Sequence, residues 1–289
     1  MAMIVNRRLV CLVLAMWIGV GCSDGGQTVG ADIVPLDPDV ALVSVGSWYR
    51  PAVATTWQWQ LSGEIDVTYN VDLYDVDLFE VPDSTIVVLQ ASGKKVICYF
   101  SGGSSEDWRP DYSRFTGTDK GKKMSGWAGE RWLDIRSPNV LDIMHDRLDL
   151  AVKKGCDGVE PDNMDGFTNS TGFPLTADDQ LAYNRMIANA AHQRGLSVGL
   201  KNDGGQAAEL VDWFDFSLNE ECHKFEECDE LQPFIGAGKP VFNAEYSSSG
   251  SKADALAEAI CPKARAANLR TLILPLGLDD SFRISCDDE

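Results

Sequence analysis

Residues 137–163 read SPNVLDIMHDRLDLAVKKGCDGVEPDN and predict a helix that hands its chain directly to a strand. Ser137 and Pro138 suit the N-cap and first helical position, where an oxygen acceptor and a fixed φ are both favourable. Leu141, Met144, Leu148 and Val152 follow at the spacing of one helical face. Lys153-Lys154-Gly155 closes the helix: cations suit its negative end, and glycine suits the left-handed residue beyond it. Gly158 to Asp162 then reads as a strand that ends in acids.

The alternation recurs on both sides of this stretch. Predicted strands fall at 56–60, 71–77, 95–100, 158–162, 197–202, 214–219, 240–245 and 270–276. Val96-Ile97-Cys98-Tyr99-Phe100 and Thr271-Leu272-Ile273-Leu274 are continuous apolar runs, as expected where a parallel sheet is covered on both faces. A further helix opens at Thr176 with Asp179 as an approximate capping box. It carries Tyr183, Met186, Ile187 and Ala190 and stops at Arg194-Gly195; another helix covers about 252–267. Eight strands with crossover helices predict a single (β/α)8 TIM barrel. A doubly wound open sheet is the alternative. It would usually carry a glycine-rich phosphate loop after its first strand, and Gln58-Trp59-Gln60-Leu61-Ser62-Gly63 is not one. Residues 101–157 make an unusually long connection, rich in Trp and acids, and long connections in compact domains are usually functional.

The 289 residues are 44% hydrophobic and 24% charged, which excludes a disordered or fibrous chain. A formal charge of −19 argues against nucleic acid or an anionic membrane face as partner and is compatible with a cationic or neutral substrate. Arg7-Arg8, the apolar stretch Leu9 to Val20 and the small residues before Cys22 predict a signal peptide over 1–21. Ile18-Gly19-Val20-Gly21-Cys22 resembles a bacterial lipobox. The expectation is an exported cell-envelope lipoprotein or extracellular protein, touching membrane only through a lipid on Cys22. Residues 22–45 read as a tether and 46–289 as the barrel. Beyond Cys22 six cysteines remain, and export makes up to three disulfides the expectation, with Cys98 and Cys156 near consecutive strands. Cys222 and Cys228 lack zinc-finger spacing, and no metal or cofactor is expected. A monomer is.

In such a barrel the chemistry lies at the carboxyl ends of the strands. Trp59, Asp75, Asp77, Tyr99, Glu160, Asp162, Asn163, Lys201, Asn202, Glu220, Glu245 and Tyr246 collect there, and the long connection adds Trp108, Trp127 and Trp132. Carboxylates for acid–base and nucleophilic work, aromatics for apolar sugar faces and amides for hydroxyls describe a sugar site. Glu160 and Asp162 are two apart and share a strand face, with Glu160 one layer deeper. A pair drawn from the fourth and sixth strands, Asp162 and Glu220, would face across the mouth, and glycosidases need two such carboxyl groups. No Ser-His-Asp set is apparent: His145 and His192 fall on predicted helices, with His223 the third.

Several runs resemble glycoside hydrolase family 114. They are Trp57–Leu61, Val71–Phe79, Val96–Gly103, Glu106–Asp111, Trp132–Arg136, Gly155–Asn163, Gly199–Asp203 and Asn219–Cys222, which together span about 57–286. The resemblance implies a TIM-barrel endo-α-1,4-polygalactosaminidase that cuts galactosamine-rich exopolysaccharide, a cationic polymer. It also implies that Asp162 is the nucleophile and Glu220 the acid/base. The family's Asp-Pro-Asp-Asn motif reads Glu160-Pro161-Asp162-Asn163 here, which changes its first acid and leaves Asp162 in place.

Overall fold

The structure is a computed structural model that describes residues 36–37 and 40–287, so the expected signal peptide and Cys22 lie outside the described residues. Eight strands run parallel in chain order: β1 (Trp57–Gln60), β2 (Leu73–Asp77), β3 (Lys95–Ser101), β4 (Gly158–Asp162), β5 (Ser197–Lys201), β6 (Phe216–Glu220), β7 (Val241–Ser247) and β8 (Leu269–Pro275). This is the TIM-barrel sheet that the sequence predicts.

Residues two apart share a face. Trp57, Leu73, Ile97, Phe216, Leu218, Phe242 and Leu272 form the lower barrel interior. The alternate residues, among them Tyr74, Val76, Val96, Phe100, Val159 and Val198, face outward into the helix-covered core. Towards the carboxyl ends the inward positions turn polar: Asp75, Tyr99, Glu160, Asp162, Lys201 and Glu220. Gly199 sits on that inward face, where a Cβ would stand 2.2 Å from the Phe216 ring, so only glycine leaves this aromatic in the floor.

Helices α1 (Asp83–Ala91), α2 (Pro138–Lys154) and α3 (Ala177–Gln193) are followed by the short α4 (Ala207–Leu210), α5 (Cys222–Phe225) and α6 (Gln232–Gly236), then α7 (Gly250–Ala266). Ser137, Pro138 and the left-handed Gly155 (φ 85°) bound α2 as expected, and Thr176 and Asp179 close a full capping box on α3. The buried face of α2 is Val140, Ile143, Met144, Arg147, Leu148 and Ala151. It lies one residue round from the predicted stripe: Met144 and Leu148 belong to both, whereas Val152 is exposed. Arg147 accounts for the rotation. Its guanidinium is buried against Asp111 (2.8 and 2.9 Å) and the Ser101 carbonyl (2.7 Å).

The long connection is not an irregular loop. It carries a three-stranded antiparallel arm of Ser104–Glu106, Lys120–Lys123 and Glu130–Leu133, with the last in the middle. Lys120-Gly121-Lys122-Lys123 shows no apolar alternation, so no local signal marks it as a strand. Arg109 ties the arm to the barrel through paired hydrogen bonds to Asp77 (2.9 and 2.6 Å) and to Glu106 (2.9 and 2.8 Å). At the other end of the barrel, Val43 N and the Ala41 carbonyl bond the Asn189 side chain of α3, both at 2.8 Å. The last residues of the expected tether thus pack on the domain.

Between β8 and β1, side chains and a returning segment close the sheet. A short strand, Ile284–Ser285, pairs antiparallel with β8. Trp57 Nε1 donates to the Arg270 carbonyl (2.8 Å), Arg283 to the Trp57 carbonyl (3.0 Å) and Gln58 Nε2 to Asp280 (3.0 Å). Leu61 N and Ser62 N both donate to the Leu278 carbonyl, at 3.1 and 3.2 Å.

Three disulfides join Cys98 to Cys156, Cys222 to Cys228 and Cys261 to Cys286. The first links partners 58 residues apart, across the arm and α2. Loop-closure entropy makes such a link worth about 4 kcal/mol. The double variant Cys98→Ala, Cys156→Ala should therefore lose about that much unfolding free energy in urea titrations, with the midpoint lowered and the slope somewhat raised because the uncrosslinked unfolded chain exposes more surface.

Candidate active site

Three strand ends deliver the central groups, and each is followed at once by a residue in the left-handed region. Asn163 (φ 60°) follows Asp162, Asn202 (φ 50°) and Asp203 (φ 49°) follow Lys201, and Glu221 (φ 60°) follows Glu220. Asn and Asp tolerate this conformation better than most residues. The turn ends the strand's alternation, so successive side chains can both reach the mouth. Gly103 makes room for the first of these turns, since a Cβ there would lie 1.9 Å from the Asn163 carbonyl oxygen.

Lys201 is 1% exposed, and its ammonium is held by three carboxylates. Nζ donates to Glu160 Oε1 at 2.8 Å and lies 3.3 Å from both Asp162 Oδ1 and Glu220 Oε2. Two oxygens that share one ammonium in this way are at most about 6.6 Å apart. Asp162 also accepts from Tyr99 OH (3.0 Å) and from the Asn163 amide (2.7 Å). Glu220 accepts from Asn202 Nδ2 (3.2 Å) and from the Tyr246 hydroxyl. The Glu220 amide in turn donates to Asn202 Oδ1 at 2.9 Å, so one amide side chain sets both the backbone and the carboxylate of this residue. Trp59 lies beneath, with its ring centroid 4.7 Å from Lys201 Nζ.

Sequence reasoning thus names a set that the structure brings together: Asp162, Glu220, Lys201, Tyr99, Asn163, Asn202, Tyr246, Glu160 and Trp59. Other candidates are placed elsewhere. Asp77 is held by Arg109, and Glu245 accepts from the His223 amide at 2.8 Å, in the first turn of α5. Asp75 is buried below the mouth, and Trp108 is half exposed on the arm, away from the cleft lining. Trp59, 1% exposed, supports Lys201 and is not an open stacking face. Cys222 and Cys228 lie beside His223, but their sulfurs are joined to each other.

Above this set lies a cleft of about 990 Å³. The arm forms one wall with Lys122, Trp127, Glu130 and Trp132, and the segments after β5 and β6 form the other with Asp203, Glu221, Phe225 and Glu230. Trp127, Phe225 and Leu276 are 51%, 59% and 58% exposed, which makes them the open apolar faces of the cleft. Phe225 and Leu276 lack any signal in the sequence, because their exposure depends on where the neighbouring strands end.

A model of glycoside hydrolase family GH114 matches residues 39–289. The chain belongs to this family. A solved structure of Aspergillus fumigatus Ega3 in complex with galactosamine is 42% identical, covers 84% of this chain and 100% of its own, and superposes with a TM-score of 0.78. The glycoside hydrolase domain of PelA from Pseudomonas aeruginosa is 14% identical over 80% of this chain and 98% of its own, with a TM-score of 0.64, and shares the fold. A comparison with curated proteins gives no match. As a GH114 member this protein is a glycoside hydrolase.

The electrostatics of the GH114 site follow from burial and from Lys201. Burial opposes the ammonium, yet Asp162, Glu160 and Glu220 outweigh it and raise the Lys201 pKa well above its usual value. Burial raises Glu160 to about 7 against the pull of Lys201. Asp75 is raised well above the carboxylate range, by burial first and then by Glu160, to which it hydrogen-bonds. Among the described residues no other donor reaches Asp75 Oδ1 or Glu160 Oε2, so burial and the nearness of the two acids both work against their charged forms. Around the cleft, burial raises Asp165 to about 6, Glu130 to about 7 and Asp203 to about 8.

Two outcomes follow. Lys201→Met should destabilise the fold by about 3–5 kcal/mol at pH 7, because it strands buried carboxylates without their cation. Urea titration should show that deficit shrinking at pH 5, where the acids take up protons. In addition, the acids whose folded pKa values lie above their unfolded ones bind more protons in the native state. Their contribution to wild-type stability should therefore decline as pH rises from about 4 towards 8. Asp203→Asn, which keeps an acceptor for Asn184, should flatten the fall between pH 6 and 8; an unchanged slope would contradict the assignment.

Proposed function

We propose that this protein is an exported endo-glycosidase that hydrolyses α-1,4-linked, galactosamine-rich exopolysaccharide with retention of configuration. Asp162 is the nucleophile and Glu220 the acid/base. The observation that carries this reading is the sharing of Lys201 by the two carboxylates at the cleft floor. A retaining pair stands about 5–5.5 Å apart, whereas an inverting pair needs roughly 6.5–9.5 Å to admit water. A span of at most about 6.6 Å between the two Lys201-bound oxygens admits a retaining pair and reaches only the lower edge of the inverting range. The galactosamine held by Ega3 supports the sugar, and the charge of −19 suits a polymer bearing ammonium groups. Three disulfides suit an oxidising compartment outside the cytoplasm.

In the first step an Asp162 oxygen bonds to the anomeric carbon while the glycosidic bond breaks. Glu220 gives its proton to the departing oxygen. In the second, Glu220 takes a proton from water, the hydroxide bonds to the anomeric carbon, and the ester to Asp162 breaks. Both carboxyl groups end as they began. Tyr99 and Asn163 hold Asp162, and Tyr246 and Asn202 hold Glu220, so both carboxyls are oriented before substrate arrives. Lys201 stabilises whichever of them is anionic at each stage.

Incubation with deacetylated α-1,4-galactosamine polymer should yield oligosaccharides by mass spectrometry, with the α-anomer appearing first by nuclear magnetic resonance. Asp162→Asn and Glu220→Gln should each lower turnover by at least ~10²-fold, the scale of a positioned acid or base, while polymer binding survives. First appearance of the β-anomer would overturn retention; near-native activity in both variants would overturn the residue roles.

A further inference from the structure

Among the described residues, Glu130 is a carboxylate of the cleft that forms no ion pair. It lies on the middle strand of the arm, is 8% exposed, and lines the cleft beside Trp127 and Trp132. Its protein partner is a neutral hydroxyl: Ser104 Oγ donates to Oε2 at 2.8 Å. That hydroxyl belongs to a directed relay. Asn163 Nδ2 donates to Ser101 Oγ (2.9 Å), as does the Ser104 amide (3.0 Å). Both acceptor sites of Ser101 are thus taken, so in the 2.7 Å contact between the two hydroxyls Ser101 donates to Ser104, which passes its own proton to Glu130. The relay starts at the residue after the nucleophile and ends at Glu130, which fixes the carboxylate relative to Asp162.

Four of the cations nearby have other partners. Arg109 is used by Asp77 and Glu106, Arg131 by the Gly121 carbonyl, Lys122 by Ser170, and Lys120 lies over the Tyr112 ring. Lys123 is exposed. Four other acids of the cleft have partners: Glu221 has Lys224, Asp203 has Asn184, and Asp162 and Glu220 share Lys201, while Asp165, Glu227 and Glu230 line the cleft without the hydroxyl relay that fixes Glu130. Burial, Glu106 and Asp162 act against the charge on Glu130 and outweigh the support of the Ser104 hydroxyl and of the more distant Arg109, so a cation arriving in the cleft would offset the excess.

From this geometry we infer that Glu130 binds the 2-ammonium group of an amino-sugar residue seated next to Asp162, and so selects deacetylated units over N-acetylated ones. The inference rests on the galactosamine reading above and adds the group that recognises the amine. An N-acetyl group carries no charge and would leave the buried carboxylate uncompensated; galactose would do the same with its hydroxyl.

Titration of wild type and Glu130→Gln with galactosamine, N-acetylgalactosamine and galactose, followed by nuclear magnetic resonance at pH 7.5, tests this without any hydrolysis. A charge-assisted hydrogen bond predicts that wild type binds galactosamine roughly 10- to 100-fold more tightly than galactose. Glu130→Gln should bring the two within about twofold and leave galactose unchanged. Glu130→Asp, which keeps the charge but withdraws it by one methylene, should weaken galactosamine several-fold and serves if the glutamine variant does not fold. The inference falls if wild type shows no preference, if the variants keep it, or if galactose and galactosamine weaken together. Preference through Glu130 with no release of oligosaccharides from polymer would leave this inference standing and overturn the hydrolytic substrate reading instead.

Discussion

One buried ammonium governs the top of this barrel. Removing a lysine from water is costly unless carboxylates surround it, and Glu160, Asp162 and Glu220 do so from two other strands. Three acids around one base would leave a surplus of negative charge in a dry place. Burial and mutual repulsion hold that surplus down at Asp75 and Glu160, whose carboxyls are both shifted towards the protonated form. Asp162 and Glu220 are the two that open to the cleft, with side chains 19% and 27% exposed. The same cation thus brings Asp162 and Glu220 close together and keeps them from repelling each other apart.

Most of the fold was legible because barrel strands are locally consistent. The runs Val96–Phe100 and Thr271–Leu274 are apolar throughout, and α2 and α3 carry caps at both ends, so pattern, propensity and termini agree. The arm was not legible. Its lysine-rich strand, Lys120–Lys123, is held by pairing with Glu130–Leu133 and shows no apolar face. The burial stripe of α2 was misplaced by one residue for a similar reason: Arg147 reads as a surface residue until Asp111 and the Ser101 carbonyl are known to stand beside it.

The site was legible where the strand period applies and obscure beyond it. Glu160, Asp162 and Lys201 share inward positions that counting by twos gives directly. Counting fails after the left-handed residues, so the strand period does not fix the surroundings of Asn163, Asn202 and Asp203. It also fails to separate acids at a strand end that face substrate from those that serve structure. Asp77 and Glu245 belong with Arg109 and the α5 amides, and in sequence they look no different from Asp162. Glu130 was hidden inside a connection whose secondary structure had no signal.

The seam between β8 and β1 bears on how the molecule matures. Trp57 and Trp59 come early in the barrel, yet the groups that fasten their strand, from Arg270 to Arg283, are among the last of it to be synthesised. The Cys261–Cys286 bridge pins that returning segment to α7. Trp59, the ring under Lys201, therefore gains its final setting only after translation has reached the end of the barrel, and the segment is covalently secured only where thiols oxidise. A chain that has not yet reached Arg283 therefore lacks the groups that fasten its first strand, and the barrel can close only when its last segment is in place.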